Sequence, residues 1–118
     1  MPPKVTVILP VYNRSGSLED SMRSVLNQSF RDLELIVVDD ASTEDLRTIV
    51  EAVGDPRVRY IRQARNGGAS VARNAGLAAA RGAFIAFQDS DDLWLPGKLA
   101  RQMEMLQAAP ADVGVVTG

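Results

Sequence analysis

Short apolar runs alternate with amphipathic segments along the chain. Val5 to Pro10 and Leu33 to Val38 are continuous apolar runs bounded by polar residues, which is typical of strands buried on both faces. A more polar run at 58–61 predicts a strand nearer a sheet edge. Further apolar runs at 83–87 and 113–116 complete a prediction of five strands.

The segments between these runs carry apolar residues at helical spacing. Ser17 is expected to begin a capping box in the first helix, and Ser42 or Thr43 to cap the second, which Gly54 ends. The small residues of the third helix predict close packing against the sheet, and Pro96 is expected in the first turn of the fourth. The four stripes are Leu18, Met22, Val25 and Leu26; Leu46, Ile49, Val50 and Val53; Val71, Ala75, Ala78 and Ala79; and Leu99, Met103 and Leu106.

This strict alternation of strands and helices defines the fold class. It predicts an α/β domain with a mainly parallel sheet, helices on both faces and right-handed crossovers. The 118 residues are enough for one domain.

Composition narrows the chemistry that the chain can perform. It contains neither cysteine nor histidine, which excludes a thiol nucleophile, a thiolate zinc site and a Ser-His-Asp triad. A net charge of −2 gives no reason to expect a nucleic acid partner. Any chemistry therefore depends on carboxylates, cations, hydroxyls, backbone groups or a bound hard metal. We expect a cytoplasmic location, because no signal peptide or membrane-spanning run is recognisable.

Polar residues follow three of the predicted strands, where ligands of parallel sheets bind. The first strand runs into Tyr12, the second ends at Asp39 and Asp40, and the fourth runs into 89–92. If these three strands are neighbours, five carboxylates converge on one rim of the sheet. That rim is the predicted site.

The acidic segment 89–92 allows two interpretations. Asp89 and Asp91 are two residues apart, so their side chains share a face of an extended stretch. Such paired oxygens suit Mg²⁺ or Mn²⁺. Alternatively the segment is an acidic loop that caps the next helix, and the spacing alone does not decide between the two. Trp94 is expected to pack beneath this loop.

The other candidate residues are also ambiguous when taken singly. Asp40 or Asp39 could accept the N–H of a nucleobase, but capping of the following helix is the simpler role. Tyr12 could stack on a base or close the sheet edge. Arg73 could pair with a phosphate or a carboxylate, or be a solvated helix charge. The segment 66–68 could approach a ligand or form a plain turn.

Four short segments that contain these residues, taken in their order along the chain, decide between the alternative interpretations. Together they resemble the family-2 glycosyltransferases, the inverting enzymes of GT-A fold that build bacterial surface polysaccharides and similar glycans. Gln88 is a mild departure from the last motif. The matching segments are Val7 to Asn13, Val37 to Ser42, Ala72 to Gly76 and Phe87 to Asp92.

The resemblance implies a layout for the nucleotide. Pro10 and Tyr12 would line the nucleobase pocket, Asp40 would accept the N–H of the base with Asp39 as second choice, and Arg73 would brace the pocket. The implied nucleotide-binding set is Pro10, Tyr12, Asp39, Asp40, Arg73, Asp89 and Ser90.

The resemblance also implies a divalent metal, Mn²⁺ or Mg²⁺. Asp91 would be its main ligand, and Asp89 would reach the ribose or the water shell of the metal. The family's catalytic base is a carboxylate in an acceptor-binding half, which is expected beyond residue 118. No residue of the chain is therefore assigned as the base.

The implied protein is an enzyme that transfers a sugar from a nucleoside diphosphate, most simply UDP, to a hydroxyl of a glycan or lipid-linked acceptor. Residues 1–118 are expected to be its N-terminal donor-binding domain, inactive alone and able to self-associate through an exposed sheet edge. The full-length protein could also be peripheral at the inner face of the membrane.

Other classes fit the pattern less well. A signalling receiver domain would carry its acidic pair after the first strand, and a dinucleotide-binding domain would need a glycine-rich turn there. A sugar nucleotidyltransferase would need a glycine-rich and basic loop near the same strand. A nucleotide-binding module without catalysis is the remaining alternative.

Overall fold

The structure, a computed structural model, describes residues 2–89, 93–107 and 115–117. Strands and helices alternate strictly along these residues, as predicted. The strands are β1 (Val5–Val11), β2 (Leu33–Asp39), β3 (Val58–Arg62), β4 (Phe84–Phe87) and β5 (Val115–Thr117), and the helices are α1 (Ser15–Leu26), α2 (Leu46–Val53), α3 (Ala69–Ala79) and α4 (Lys98–Gln107).

The strands form one parallel sheet in the order β3-β2-β1-β4-β5. The α/β fold class is therefore confirmed, and β3 lies at an edge as its polar sequence predicts. Because β1 lies between β2 and β4, the carboxyl ends that carry the candidate residues are neighbours. The order is that of nucleotide-binding doubly wound sheets and differs from the 2-1-3-4-5 order of receiver domains.

Alternate residues of the strands divide the core into two layers. Val7 and Leu9 of β1 pack with α1, α2 and α4, in the same cluster as the buried Trp94. Ile8 packs on the opposite face with Ala72 of α3. Trp94 is thus a core residue; residues 90–92 of the acidic loop, beneath which it is predicted to pack, lie outside the described residues.

Helix α3 packs closely on the sheet because its facing residues are small. A Cβ atom added at Gly76 would lie 2.6 Å from Cγ2 of Ile8, which is closer than side chains approach one another. Ala72 of the same face is fully buried. Close packing is thus confirmed, but the predicted stripe is only partly right: Val71 and Ala78 are exposed, and Ala72 and Gly76 face the sheet instead.

The predicted helix starts are wrong in detail. α1 begins after Arg14, and Ser17 lies inside its first turn. The cap of α2 is Asp45, whose carboxylate accepts the amide of the third helical residue, whereas Ser42 and Thr43 contact the loop that follows β1. Tertiary partners have replaced the local capping role of these two hydroxyl residues.

The remaining boundaries are partly as predicted. Gly54 ends α2 in the left-handed conformation, at φ 70°. Pro96 lies in a turn before α4 and not in its first turn, because Gly97 follows it at φ 84° and the helix begins at Lys98. The fifth strand pairs with β4, although residues 113 and 114 lie outside the described residues.

Candidate active site at the carboxyl ends of the strands

A pocket of about 370 Å³ opens at the carboxyl ends of β1, β2 and β4. It brings together five of the residues predicted for the nucleotide, which come from four separate motifs. We call it the donor pocket, after the sugar-nucleotide donor that the four motifs predict. Its lining residues are Pro10, Val11, Tyr12, Arg14, Asp40, Ala69, Ala72, Arg73 and Asp89.

One wall of the donor pocket is the turn that leads from β1 into α1. Pro10 near the end of β1 and Tyr12 and Arg14 of this turn all line the pocket, and Tyr12 is 46% exposed. A half-exposed aromatic residue beside a polar cavity offers a surface on which a planar ligand can stack.

Asp40 connects the end of β2 to the beginning of α3. Its two carboxylate oxygens accept the amides of Gly67 and Gly68, each at 2.9 Å, and its own amide donates to the carbonyl oxygen of Val11. The residue is only 5% exposed. Asp40 therefore does not cap α2. Each carboxylate oxygen can accept more than one hydrogen bond, so Asp40 can still bind a ligand's N–H.

Asp39 lies outside the donor pocket. Its carboxylate accepts the amide of Ser42 at 2.9 Å and the hydroxyl of Tyr60, and it lines a separate cavity with Arg62. Burial raises the pKa of Tyr60, and the hydrogen bond to Asp39 raises it further. Tyr60 therefore keeps its proton and remains a donor. Of the two adjacent carboxylates, Asp40 is the one that faces the pocket.

Arg73 and Asp89 form an ion pair at the pocket. The Nη2 atom of Arg73 lies 3.5 Å from Oδ1 of Asp89, and its guanidinium lies 5.9 Å from the ring centroid of Phe87. Both side chains are well exposed, so their ion pair is weak. Either group can therefore exchange its partner for a charged ligand at low cost.

The metal ligand set is only partly described. Ser90 and Asp91 lie outside the described residues, as does Asp92. Within the residues that are described, no three His, Cys, Asp or Glu side chains converge to hold a metal. Asp89 contributes an exposed carboxylate at the pocket, and this hard oxygen donor fits Mg²⁺ or Mn²⁺.

Several lining residues were not found from the sequence. Arg14 follows the first motif directly, and Ala69 and Ala72 leave room at the start of α3 because their side chains are small. Asn13, between Tyr12 and Arg14, has a positive φ of 49°. Asparagine is enriched among residues of positive φ, so its place after an apolar strand could have indicated a special turn.

A second cavity, of about 310 Å³, lies at the amino ends of the strands. Several arginines line it, but Arg59 is paired with the buried Glu34 and Arg57 with Asp55, each at 3.0 Å. These contacts indicate a structural network that joins the strands. Elsewhere, none of the helices in the described part of the chain is long and apolar enough to cross a bilayer.

The parallel sheet, its strand order and its flanking helices are those of a GT-A fold. Residues 6–117 match the model of "Glycosyl transferase family 2". The chain belongs to this family. The match covers all four motifs, so the resemblance inferred from them is confirmed.

The similarity of the chain to known proteins supports this assignment. An Escherichia coli UDP-Glc:alpha-D-GlcNAc-diphosphoundecaprenol beta-1,3-glucosyltransferase, WfgD, is 40% identical over 86% of this chain and 40% of its own length. The mannosyltransferase PcManGT from Pyrobaculum calidifontis, in complex with GDP-Man and Mn²⁺, is 31% identical with a TM-score of 0.84 over 93% of this chain and 34% of its own. S. aureus TarS 1–349, in complex with UDP-GlcNAc, is 31% identical with a TM-score of 0.83 over 89% and 31%. The chain thus spans less than half of each of these proteins.

Proposed function

We propose that this chain binds a UDP-sugar and a divalent metal in the donor pocket and belongs to an enzyme that transfers the sugar, with inversion, to an acceptor hydroxyl. The acceptor is a glycan or a lipid-linked glycan of bacterial polysaccharide or cell-surface synthesis. The observation that carries the proposal is the convergence of Pro10, Tyr12, Asp40, Arg73 and Asp89 on one pocket.

The proposed roles follow from the chemistry of each side chain. Tyr12 stacks on the base, and Asp40 accepts the imide N–H of uracil while it holds the amides of Gly67 and Gly68. Arg73 supplies positive charge toward the diphosphate. UDP is proposed because a 40% identical relative is named for UDP-Glc and a solved neighbour contains UDP-GlcNAc.

A metal fits the acidic end of the pocket. Asp89 and Asp91 would hold Mn²⁺ or Mg²⁺, and the bound ion would neutralise charge on the departing diphosphate. The Mn²⁺ in the mannosyltransferase neighbour supports this proposal.

Calorimetric titration with UDP, GDP, ADP and CDP, each with and without Mn²⁺, tests the proposal. We expect UDP to bind most tightly, and only weakly without the metal. Asp91→Ala should abolish the effect of the metal and leave the melting temperature unchanged. Equal affinities with and without Mn²⁺ would exclude Asp91 and Asp89 as ligands, and an unfolded Asp91→Ala protein would make the acidic segment structural.

A nucleotide-binding role without catalysis is the second candidate. It is favoured by the described pocket, in which Asp40 is engaged by two backbone amides and Asp89 is the proposed metal ligand, so that neither carboxylate is left to act as the base. We expect this chain alone to transfer no sugar. Product formation from UDP-sugars and glycan acceptors, followed by mass spectrometry, would instead identify a base within it.

The acceptors named for two relatives also support a proposal about the location of the protein in the cell. Two relatives are named for diphosphoundecaprenol-type or PP-undecaprenol acceptors, which are membrane lipids. We propose a cytoplasmic enzyme that is peripheral at the inner face of the membrane in its full-length form. Fractionation of cells would detect it in the membrane pellet and release it with salt; recovery only from the soluble fraction would contradict the proposal.

A further inference from the structure

We propose that Asn13 is a positioning residue of the donor pocket. It fastens the turn that carries Tyr12 and Arg14 to the loop that follows β2, and so holds this wall of the pocket in its binding position. The inference rests on the nucleotide-binding function proposed above, and it concerns a residue that does not itself line the pocket.

The side chain of Asn13 is tied to the loop at 42–44. Its Oδ1 atom accepts the amide of Thr43 at 2.9 Å, the amide of Glu44 at 3.2 Å and the hydroxyl of Thr43 at 3.2 Å. The backbone amide of Asn13 donates to Oγ of Ser42 at 2.9 Å. One residue therefore joins two loops that are about thirty positions apart in the sequence.

The backbone of Asn13 explains why an asparagine stands here. Its φ of 49° lies in the left-handed region, which asparagine tolerates better than most residues. This conformation reverses the chain between the end of β1 and the start of α1. Since Tyr12 and Arg14 flank the reversal and both line the pocket, their positions depend on it.

The loop at 42–44 is itself held firmly. The amide of Ser42 donates to Oδ1 of Asp39, whose other oxygen accepts the hydroxyl of Tyr60. Ser42 and Asp39 are both buried. The contact made by Asn13 thus leads through Asp39 to the edge strand β3, which gives the pocket wall a fixed support. Asp39 serves the pocket through this chain of hydrogen bonds.

A purely structural role for Asn13 is the alternative that must be separated from positioning. Asn13→Gly keeps the left-handed backbone accessible and removes Oδ1, and Asn13→Asp keeps the acceptor. Gly54→Ala is the matched stability control: it strains another left-handed position that does not line the pocket.

Two measurements on these proteins test the proposal. The first is the affinity for UDP with Mn²⁺ at a temperature well below every melting point. The second is hydrogen exchange of the amides at 11–15 and 42–44 without nucleotide. We expect Asn13→Gly to weaken UDP binding about tenfold and to speed exchange in both segments, while Asn13→Asp stays close to the unaltered protein. Gly54→Ala should lower the melting temperature and change neither readout.

The outcomes separate this inference from the proposed function. If the unaltered protein binds UDP and Asn13→Gly binds it equally well, positioning is wrong and the proposed function stands. If exchange in both segments is unchanged in Asn13→Gly, the tie between the loops is wrong whatever the affinity. If the unaltered protein binds no nucleotide, the proposed function fails, and the positioning role fails with it.

Discussion

Asp39 and Asp40 show how two identical adjacent residues acquire different roles. Asp39 ends β2 and Asp40 follows it, and successive side chains of an extended backbone point to opposite faces. Asp40 therefore lines the donor pocket, whereas Asp39 contacts Tyr60 and Ser42. The partners of Asp40, the amides of Gly67 and Gly68, lie 27 and 28 residues away. Contacts between such distant segments have no signature in the pattern of apolar and polar residues.

Replacement of Asp40 should weaken nucleotide binding with or without metal. Asp40→Ala leaves the imide N–H of the buried base without an acceptor, which costs roughly 1–3 kcal/mol in binding. It also removes the acceptor of the amides of Gly67 and Gly68, which lowers stability. Calorimetry with UDP in the presence and absence of Mn²⁺ measures the loss.

Asp45→Ala is the control for Asp40. It removes the cap of α2 away from the donor pocket, so it should lower the melting temperature without changing the affinity. Unchanged UDP affinity in Asp40→Ala, together with a lower melting temperature, would limit Asp40 to holding the loop at 66–68.

The residues of the site were predictable where a strand end positions them. Pro10 and Tyr12 lie at the end of β1 and Asp89 shortly after β4, and the neighbouring strands bring them to one pocket. The role inferred for Asn13 depends on a loop from another part of the chain, and a single sequence does not show which loops meet.

At the scale of elements, hydrophobic pattern located the strands more accurately than capping residues located the helices. The predicted strand from Leu33 to Val38 differs from β2 by one residue. A strand is defined by burial of many side chains, whereas a cap depends on one hydrogen bond that a tertiary partner can take. Ser42 illustrates this competition, because its hydroxyl accepts the amide of Asn13.

Gly76→Ala should destabilise the protein although alanine is the better helix former. The new Cβ would lie 2.6 Å from Cγ2 of Ile8, a branched side chain of the central strand that has little freedom to move. Overpacking of this kind costs about 1–3 kcal/mol, which exceeds the gain in helix propensity of at most about 1 kcal/mol. Urea unfolding measures the difference in the free energy of unfolding.

Gly16→Ala provides the comparison for Gly76→Ala. It lies in α1, and an added Cβ would meet nothing within 4 Å. We expect its free energy of unfolding to be unchanged or slightly higher. Equal effects of the two substitutions would show that close packing of α3 on β1 does not limit stability.

At the scale of the whole molecule, the two ends of the sheet differ in what their residues form. The carboxyl ends form the donor pocket, and the amino ends carry a buried polar network centred on Glu34 of β2. Its carboxylate accepts the hydroxyl of Thr6 from β1, Nη1 of Arg59 from β3 and the amide of Arg81 ahead of β4, at 2.7, 3.0 and 2.8 Å. The network thus joins the strands at the end of the sheet away from the pocket.

The network should make stability depend on pH through Glu34. Burial raises the pKa of Glu34, but the hydrogen bonds from Thr6, Arg81 and Arg59 and the charge of Arg59 together outweigh it, so the pKa lies below its ordinary value of 4.5. A carboxyl with a depressed folded-state pKa contributes stability that is present above the unfolded-state pKa and lost as pH falls through the folded-state pKa. The loss therefore begins near pH 4.5 and continues below it.

Glu34→Gln should remove this dependence. At neutral pH the substitution leaves Arg59 without its charged partner and should lower the free energy of unfolding by about 1–3 kcal/mol. On acidification below pH 4.5 the variant should lose less stability than the unaltered protein, so the two curves converge. Glu19→Gln removes an exposed pair with Arg23 and should leave the curve almost unchanged. Parallel curves for Glu34→Gln and the unaltered protein in urea unfolding between pH 7 and pH 3 would show that Glu34 does not couple the strands through its charge.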